Sequence, residues 1–204
     1  MSNKKYKNII FDLGAVLVNW RPQEFLKDFK RKYSIISDKD AWLEIFKSSR
    51  FQELDRGIST RMDVVNAFSK KYEKDFLLHI FENFKEHVFI LKKGLDILNM
   101  VKDRGFKTYI LSNFSKEGFE EVFPKLTFLD KFDGAILSYQ VKLIKPELEI
   151  YKTLLDTYSL KAKECLFIDD MPENISAGIS CGIDGIVCKN HVFVKKELKR
   201  LEII

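Results

Sequence analysis

The chain has 204 residues, of which 46% are hydrophobic and 32% are charged. These values are typical of a globular protein and exclude disordered, collagen-like and low-complexity classes. The net charge of +5 is dispersed, with lysines gathered at both ends of the chain, whereas a nucleic-acid-binding surface needs a concentrated basic stripe. We therefore expect no nucleic-acid partner.

The apolar run near the N-terminus is short and is broken by Asp12, which is typical of neither a signal peptide nor a membrane span. Three cysteines, Cys165, Cys181 and Cys188, lie in apolar stretches without metal-ligand spacing, and we interpret them as reduced thiols. These features predict a cytoplasmic protein with no membrane partner. The sequence leaves the oligomeric state open.

Short apolar runs bounded by turn residues predict strands that are buried on both faces, as in a parallel sheet. The predicted strands are Asn8–Phe11, Thr108–Leu111, Gly134–Leu137, Cys165–Ile168 and Gly185–Cys188. Between the later strands, apolar spacing and terminating residues predict helices at Gly94–Asp103, Glu147–Tyr158 and Glu173–Cys181. This alternation of strands and helices predicts a Rossmann-like three-layer α/β sandwich with a parallel sheet.

Residues 19–93 interrupt the alternation and contain no convincing strand. Apolar residues at helical spacing predict about four helices there, and Gly57–Thr60 predicts a turn that precedes a helix at Arg61–Lys71. The residues that carry this spacing are Phe25, Phe29, Trp42, Ile45, Phe46, Phe51, Leu54, Val64, Val65, Phe68, Leu77, Leu78, Phe81 and Phe84. We predict a discontinuous core, residues 1–18 and 94–204, with a helical domain of residues 19–93 inserted after the first strand.

Four groups of polar residues follow predicted strands. Asp12 ends the first strand and enters a turn that contains Gly14, whose backbone N–H groups can bind a phosphate. Taken alone, an aspartate that stabilises a turn is the more common interpretation. Ser112 and Asn113 follow the second strand and offer hydrogen-bond donors, although such a pair is common in loops.

The other two groups lie nearer the C-terminus. Lys145 precedes Pro146 at a predicted helix start, where a cation can neutralise a phosphoryl group. Asp169 and Asp170 are adjacent carboxylates at a strand end, and burying both is costly unless a cation is present. Hard oxygen ligands of this kind suit Mg²⁺, so this pair is the strongest single signal.

The order and spacing of these groups resemble the four motifs of the haloacid dehalogenase superfamily. The tetrapeptide Phe11–Gly14, the Lys145–Glu147 segment and the Asp169–Asn174 segment are similar to those of bacterial members that hydrolyse sugar phosphates. The helical insertion resembles the small helical cap of that family. The resemblance covers about residues 6–18 and 95–190.

The resemblance implies roles for individual residues. Asp12 would attack phosphorus and form an aspartyl-phosphate. Mg²⁺ would be held by the Asp12 carboxylate, the backbone carbonyl of Gly14 and the Asp170 carboxylate. Asp169 would lie beside the metal site and orient a metal-bound water or Lys145.

The same resemblance implies how the phosphate is bound. The turn at Leu13 and Gly14 would contact it through the backbone. Ser112 and Lys145 would bind the oxygens that do not react. Asn113 would also belong to the substrate-binding residues and would shape the adjoining loop. The resemblance thus implies a Mg²⁺-dependent phosphomonoester hydrolase that acts on a small phosphorylated metabolite such as a sugar phosphate.

The sequence departs from this pattern at Gly14, where most phosphatases of the family carry a second aspartate as general acid and base. Such assistance is worth about 10²–10⁴ in rate. A water, a residue of the insertion or a good leaving group can substitute, or the chain is slow. Asp55 and Arg56 are candidates by position only, since both also fit a solvated turn.

Two alternative functions remain open from the sequence. A metal-independent 2-haloacid dehalogenase also lacks the second aspartate, but its fourth motif does not keep paired carboxylates, so Asp169 and Asp170 argue against it. A catalytically weakened relative that only binds phosphate or metal would keep the same motifs. The intact Asp12, Lys145 and Asp170 favour the enzyme.

Overall fold

The computed structural model describes residues 5–20, 44–82 and 84–204. Its strands are β1 (Asn8–Phe11), β2 (Val18–Trp20), β3 (Val88–Ile90), β4 (Lys107–Ser112), β5 (Gly134–Leu137), β6 (Cys165–Asp169) and β7 (Asp184–Val187). Five of them form a parallel sheet in the order β5-β4-β1-β6-β7. The five predicted strands are therefore confirmed, with end shifts of one residue. β1 lies at the centre, paired with β4 and β6.

The α-helices with defined bounds among the described residues are α1 (Ser49–Asp55), α2 (Arg61–Phe68), α3 (Lys74–Glu82), α4 (Lys92–Asp103), α5 (Lys116–Val122), α6 (Ser138–Val141), α7 (Leu148–Thr157), α8 (Pro172–Ser180) and α9 (His191–Arg200). The predicted helices of the core are α4, α7 and α8. Gly105 follows α4 with φ of 79°, the left-handed conformation that a glycine supplies at a helix end. Within the described residues, no helix has the length and apolar character needed to cross a membrane.

Alternate residues of β1 point to opposite faces of the sheet and enter two separate apolar cores. Ile9 and Phe11 pack in the core that contains Ile97 of α4 and Leu198 of α9. Ile10 packs in the other core, with residues of α7 and α8. This period of two on a sheet covered on both sides confirms the three-layer α/β sandwich.

Residues 44–82, here called the helical segment, have an apolar cluster of their own. Its buried members are Ile45, Leu54, Val64, Val65, Phe76, Leu77, Ile80 and Phe81. α2 begins where predicted, because the Thr60 hydroxyl and the Asp63 carboxylate form a reciprocal capping box. The predicted helical positions Phe25, Phe29 and Trp42 lie outside the described residues. The division into residues 1–18 with 94–204 and residues 19–93 stays a prediction.

The prediction that residues 19–93 contain no strand is wrong. β2 and β3 pair as an antiparallel ribbon, with Asn19 opposite Phe89, and Leu91 N–H donates to the carbonyl of Leu17 at 2.8 Å. Each strand has three residues, too few to show an alternating pattern, and the partners are about 70 positions apart in the sequence. The ribbon therefore joins the segment that follows β1 to the segment that precedes α4.

Candidate active site

The sheet register brings the predicted site residues to one edge. Phe11 is paired with Ile110 of β4 and with Ile168 of β6, so the residues that follow these strands are neighbours. Asp12 N–H donates to the carbonyl of Ile168 at 2.9 Å. Asp12, Ser112 and Asp169 therefore lie side by side at the carboxyl ends of three parallel strands, where open α/β sheets bind ligands.

Lys145 lies between two of these carboxylates. Its Nζ is 2.9 Å from Asp12 Oδ1 and 2.6 Å from Asp169 Oδ2. All three side chains are buried, with exposed fractions of 4%, 7% and 0% for Lys145, Asp12 and Asp169. Burial acts to lower the pKa of Lys145, but attraction to the two carboxylates outweighs it and leaves that pKa raised. Lys145 is thus held as an ammonium ion beside Asp12.

Asp169 is fixed by donors on several sides. Its Oδ1 accepts from the Met171 N–H at 2.8 Å and from Asn174 Nδ2 at 3.0 Å, while its Oδ2 accepts from Lys145. A carboxylate with both oxygens committed to protein donors is suited to orienting the lysine, one of the two roles that the resemblance implied for Asp169. Burial raises the pKa of Asp12, and Lys145 and Ser112 oppose this rise.

Asn113 holds the loop of Lys145. Its Oδ1 accepts from the Lys145 N–H at 2.8 Å, and its Nδ2 donates to the Lys145 carbonyl at 3.0 Å. Both polar atoms of the amide are therefore used to position the lysine backbone, as expected for a residue that shapes the loop. A direct contact of Asn113 with substrate stays a prediction.

The carboxylates of Asp12, Asp169 and Asp170 form a cluster in which one oxygen of each lies within 4.8 Å of the others. Burial, together with Asp12 and Asp169, raises the pKa of Asp170 to about 6. Three carboxyl groups face one ammonium, so acidic groups outnumber the cation in this cluster. Hard oxygen donors in this excess fit a divalent cation such as Mg²⁺.

The turn after β1 presents backbone donors. The N–H groups of Leu13 and Gly14 have no acceptor in the described backbone, while the Leu13 side chain is buried in the core. The turn is fixed at the Val16 carbonyl, which lies 2.7 Å from His191 Nε2. The same carbonyl lies so close to Gly94 that a Cβ atom on residue 94 would be only 2.2 Å from it. Free N–H groups in a rigid turn can bind phosphate oxygens. Coordination of metal by the Gly14 carbonyl, which accepts from the Val16 N–H, stays a prediction.

A cavity of about 210 Å³ opens beside Gly14, between the helical segment and the sheet edge. Asp55 lines this cavity together with Asn113. From the sequence alone, a solvated turn was the more common interpretation for Asp55. Burial raises the pKa of Asp55 to about 7. The other candidate, Arg56, instead forms a two-bond ion pair with Glu147. The apolar residue Phe51, one turn before Asp55 on α1, was a sequence signal that this helix face points toward the interior.

The family model of the haloacid dehalogenase-like hydrolases matches residues 6–182 of this chain. The chain belongs to this family. Two curated relatives have nearly the same length: a sesquiterpene phosphatase of Aspergillus oryzae, 25% identical over 203 residues with 96% of each chain covered, and a D-ribitol-5-phosphate phosphatase of Bacteroides thetaiotaomicron, 26% identical over 210 residues with 94% of this chain and 96% of the relative covered.

Two further proteins are similar to this chain. The chain is 25% identical over 198 residues to a drimenol cyclase of Aspergillus calidoustus and spans 36% of that protein's length. A solved structure of a HAD family enzyme from Bacteroides thetaiotaomicron, in complex with magnesium, has a TM-score of 0.68 and 26% identity, covering 90% of this chain and 93% of that one. The chain is therefore an enzyme of the haloacid dehalogenase-like hydrolase family, and two of its relatives are named phosphatases.

Proposed function

We propose that the protein is a Mg²⁺-dependent phosphomonoester hydrolase that acts through an aspartyl-phosphate on Asp12. The observation that carries this proposal is the buried cluster in which Lys145 contacts Asp12 at 2.9 Å while Asp170 lies alongside. An anionic nucleophile meets an anionic phosphate only where cations offset their repulsion, and preorganised charge is the main source of catalysis in phosphoryl transfer.

The proposed reaction has two displacements. An oxygen of Asp12 attacks phosphorus, and the bond between phosphorus and the alcohol oxygen breaks. Water then attacks phosphorus, the bond to Asp12 breaks, and inorganic phosphate is released. Lys145, Ser112 and the N–H groups of Leu13 and Gly14 would hold the oxygens that do not react.

The metal would be held by Asp12, Asp170 and the Gly14 carbonyl, with Asp169 beside them orienting Lys145. Bound Mg²⁺ would supply the positive charge that screens the nucleophile from the phosphate. Support comes from the three clustered carboxyl groups, which outnumber the single lysine beside them, and from the magnesium complex of the related structure.

The substrate class is a monoester of a small organic alcohol. Among the relatives, one is named for D-ribitol 5-phosphate and another for sesquiterpenes, so both a sugar-like and a hydrocarbon alcohol have precedent in similar chains. The sugar phosphate predicted from the sequence belongs to this class. We also propose that residues 19–93 act as a cap that closes over the site and excludes water, in a protein that works in the cytoplasm.

The test uses the full chain and p-nitrophenyl phosphate. Hydrolysis should require Mg²⁺, stop on addition of a chelator, and be lost in Asp12→Asn. The matched control is Asp156→Asn, which changes an exposed aspartate of α7 and should keep full activity. Full activity of Asp12→Asn would overturn the mechanism. Metal-free chloride release from a 2-haloacid would assign a dehalogenase, and metal binding without turnover would assign a binding protein.

A further inference from the structure

The cavity beside Gly14 has mostly apolar walls. Of the fifteen described residues that line it, nine have apolar side chains, two are glycines and four are polar. The aromatic members come from both sides of the cavity, among them Phe46, Phe51 and Phe81 from the helical segment and Phe114 from the loop after β4. Its volume of about 210 Å³ equals that of roughly seven water molecules, at about 30 Å³ each.

Three of the four polar side chains already have protein partners. Arg61 forms ion pairs with carboxylates of α5, Ser115 accepts an N–H at the start of that helix, and the Asn113 amide holds the backbone of Lys145. Asp55 differs, since its carboxylate makes no hydrogen bond or ion pair with a described residue. Among the described residues, a polyol that entered this cavity would find few free hydrogen-bond partners for its hydroxyls.

We infer that the organic group of the substrate is a hydrocarbon ring or chain rather than a sugar or polyol; this inference rests on the proposed phosphatase function. Burial of apolar surface against the aromatic walls stabilises such a group. Each hydroxyl left without a hydrogen-bond partner would lower the affinity by about 10-fold or more. The cavity therefore selects against polyhydroxylated alcohols.

Benzyl phosphate and D-ribitol 5-phosphate test this inference, because both are esters of primary alcohols and differ mainly in the polarity of the organic group. We expect kcat/KM for benzyl phosphate to be at least 10-fold higher, and Phe81→Ser to reduce that preference. Equal values or a preference for ribitol 5-phosphate would overturn the inference.

Binding separates this inference from the proposed function. Asp12→Asn is titrated with each ester in the presence of Mg²⁺, and tighter binding of benzyl phosphate supports the apolar cavity even if the wild type hydrolyses neither. Tighter binding of ribitol 5-phosphate would overturn it whether or not turnover occurs. Hydrolysis of p-nitrophenyl phosphate by the wild type reports the proposed function alone.

A second inference concerns the proton that the leaving alcohol needs. In an in-line displacement the leaving oxygen lies on the far side of phosphorus from Asp12, and Gly14 offers no side chain to protonate it. Gly14 is exposed to the cavity that Asp55 also lines. Among the described residues, Asp55 is the only carboxylic acid in that lining.

Asp55 is held against the core by its own backbone. Its carbonyl accepts from the Ser138 hydroxyl at 2.6 Å, and the same hydroxyl oxygen accepts from the Phe114 N–H at 2.9 Å. The next two residues are also fastened, Arg56 by its ion pair with Glu147 and the Gly57 carbonyl by Lys142 Nζ at 2.6 Å. The turn that carries Asp55 is therefore fixed to α6 and, through Ser138, to the loop after β4.

We propose that Asp55 is the general acid and base of the reaction, in place of the aspartate that Gly14 replaces. Asp55 gives its proton to the alcohol oxygen as the bond from that oxygen to phosphorus breaks. The resulting carboxylate then takes a proton from the water that attacks the aspartyl-phosphate, and Asp55 returns to its acid form. The charged side chains near it have other partners: Arg56 pairs with Glu147, Arg61 with α5, and Lys142 with a carbonyl.

The test compares leaving groups in Asp55→Asn. We expect kcat/KM for benzyl phosphate to fall by about 10²–10⁴-fold, because an alkoxide cannot leave without a proton. For p-nitrophenyl phosphate it should fall less than 10-fold, because that phenolate is a good leaving group and kcat/KM reports only steps up to its release. Wild-type kcat/KM for benzyl phosphate should also decline above pH 7, and this decline should be absent in the variant.

Two further variants make the test decisive. Gly14→Asp in the Asp55→Asn background should recover at least 10-fold for benzyl phosphate, since a Cβ at Gly14 meets only Asp12 Oδ2, at 3.6 Å. Glu53→Gln, on the same helix and paired with Arg50, should leave both substrates unchanged. An equal loss for both substrates in Asp55→Asn, or no loss for benzyl phosphate, would overturn the assignment.

Discussion

Lys145→Met removes the ammonium ion that the structure places among Asp12, Asp169 and Asp170 while keeping a side chain of similar length. Because Lys145 is 4% exposed and contacts two carboxylates within 3 Å, its loss leaves buried negative charges without a partner. Removing one member of a buried ion pair costs about 3–5 kcal/mol. For a chain of 204 residues, each kcal/mol lowers Tm by about 2–4 °C, so we expect a decrease of about 6–20 °C.

The assay is thermal unfolding of wild type and variant, each with Mg²⁺ and with a chelator. Because a divalent cation compensates the same carboxylates, Mg²⁺ should raise the Tm of Lys145→Met by more than it raises the Tm of the wild type. Phosphatase activity should fall at least 10²-fold, the magnitude of removing one preorganised charge from a transition state.

The matched control is Lys152→Met on α7, an exposed lysine whose nearest carboxylate lies 3.9 Å away. Its Tm and activity should stay those of the wild type. A Tm of Lys145→Met within 2 °C of the wild type in chelator would refute the view that Lys145 offsets the charge of this cluster.

Three further variants test the surroundings of the site. Gly94→Ala should cost about 1–3 kcal/mol of unfolding free energy and lower activity, because its Cβ would displace the carbonyl of Val16 in the turn after β1; an unchanged Tm would contradict that contact. Asn113→Ala should lower the unfolding free energy by about 1–3 kcal/mol, because the Lys145 backbone loses two hydrogen bonds. It should also lower kcat by a larger factor than it raises KM. A change in KM alone would instead indicate that Asn113 binds the substrate. Asp55→Asn should become more stable than the wild type as pH rises from 4 to 7, by at most about 4 kcal/mol of unfolding free energy. The reason is that the folded wild type holds a proton on Asp55 up to about pH 7, whereas the unfolded chain has already lost it. Chemical unfolding of both proteins at pH 5 and pH 8 measures this, and a stability difference that does not change with pH would refute the raised pKa.

The strands of the core were predictable because each is a continuous apolar run that ends at a turn. A strand buried on both faces by helices needs apolar residues at every position, which is a local signal. The chemistry was predictable for a related reason. Asp12, Ser112 and Asp169 each lie at or directly after the end of a strand, and parallel strands deliver such residues to one edge. The resemblance to a family then supplied the roles that geometry alone leaves open.

The ribbon of β2 and β3 was missed because its pairing joins residues that are distant in the sequence and too few to form a pattern. The environment of Asp55 was hidden for a similar reason. Its neighbours in the sequence, Arg56 and Gly57, are typical of a solvated turn, and only the packing of α1 near α6 and the loop after β4 removes its carboxyl group from water.

The sequence by itself determined the order of strands and helices, the family, and the polar residues at the sheet edge, because these depend on local pattern and spacing. Only the tertiary structure decided that Lys145 is buried between Asp12 and Asp169 and that an apolar cavity meets Asp55 beside Gly14. Burial and charge pairing arise where distant segments pack together, and that packing sets the pKa values and the shape of the cavity. Gly14 illustrates both contributions. The sequence shows that the usual acid is missing at this position, and the fold brings Asp55 to the cavity that Gly14 lines.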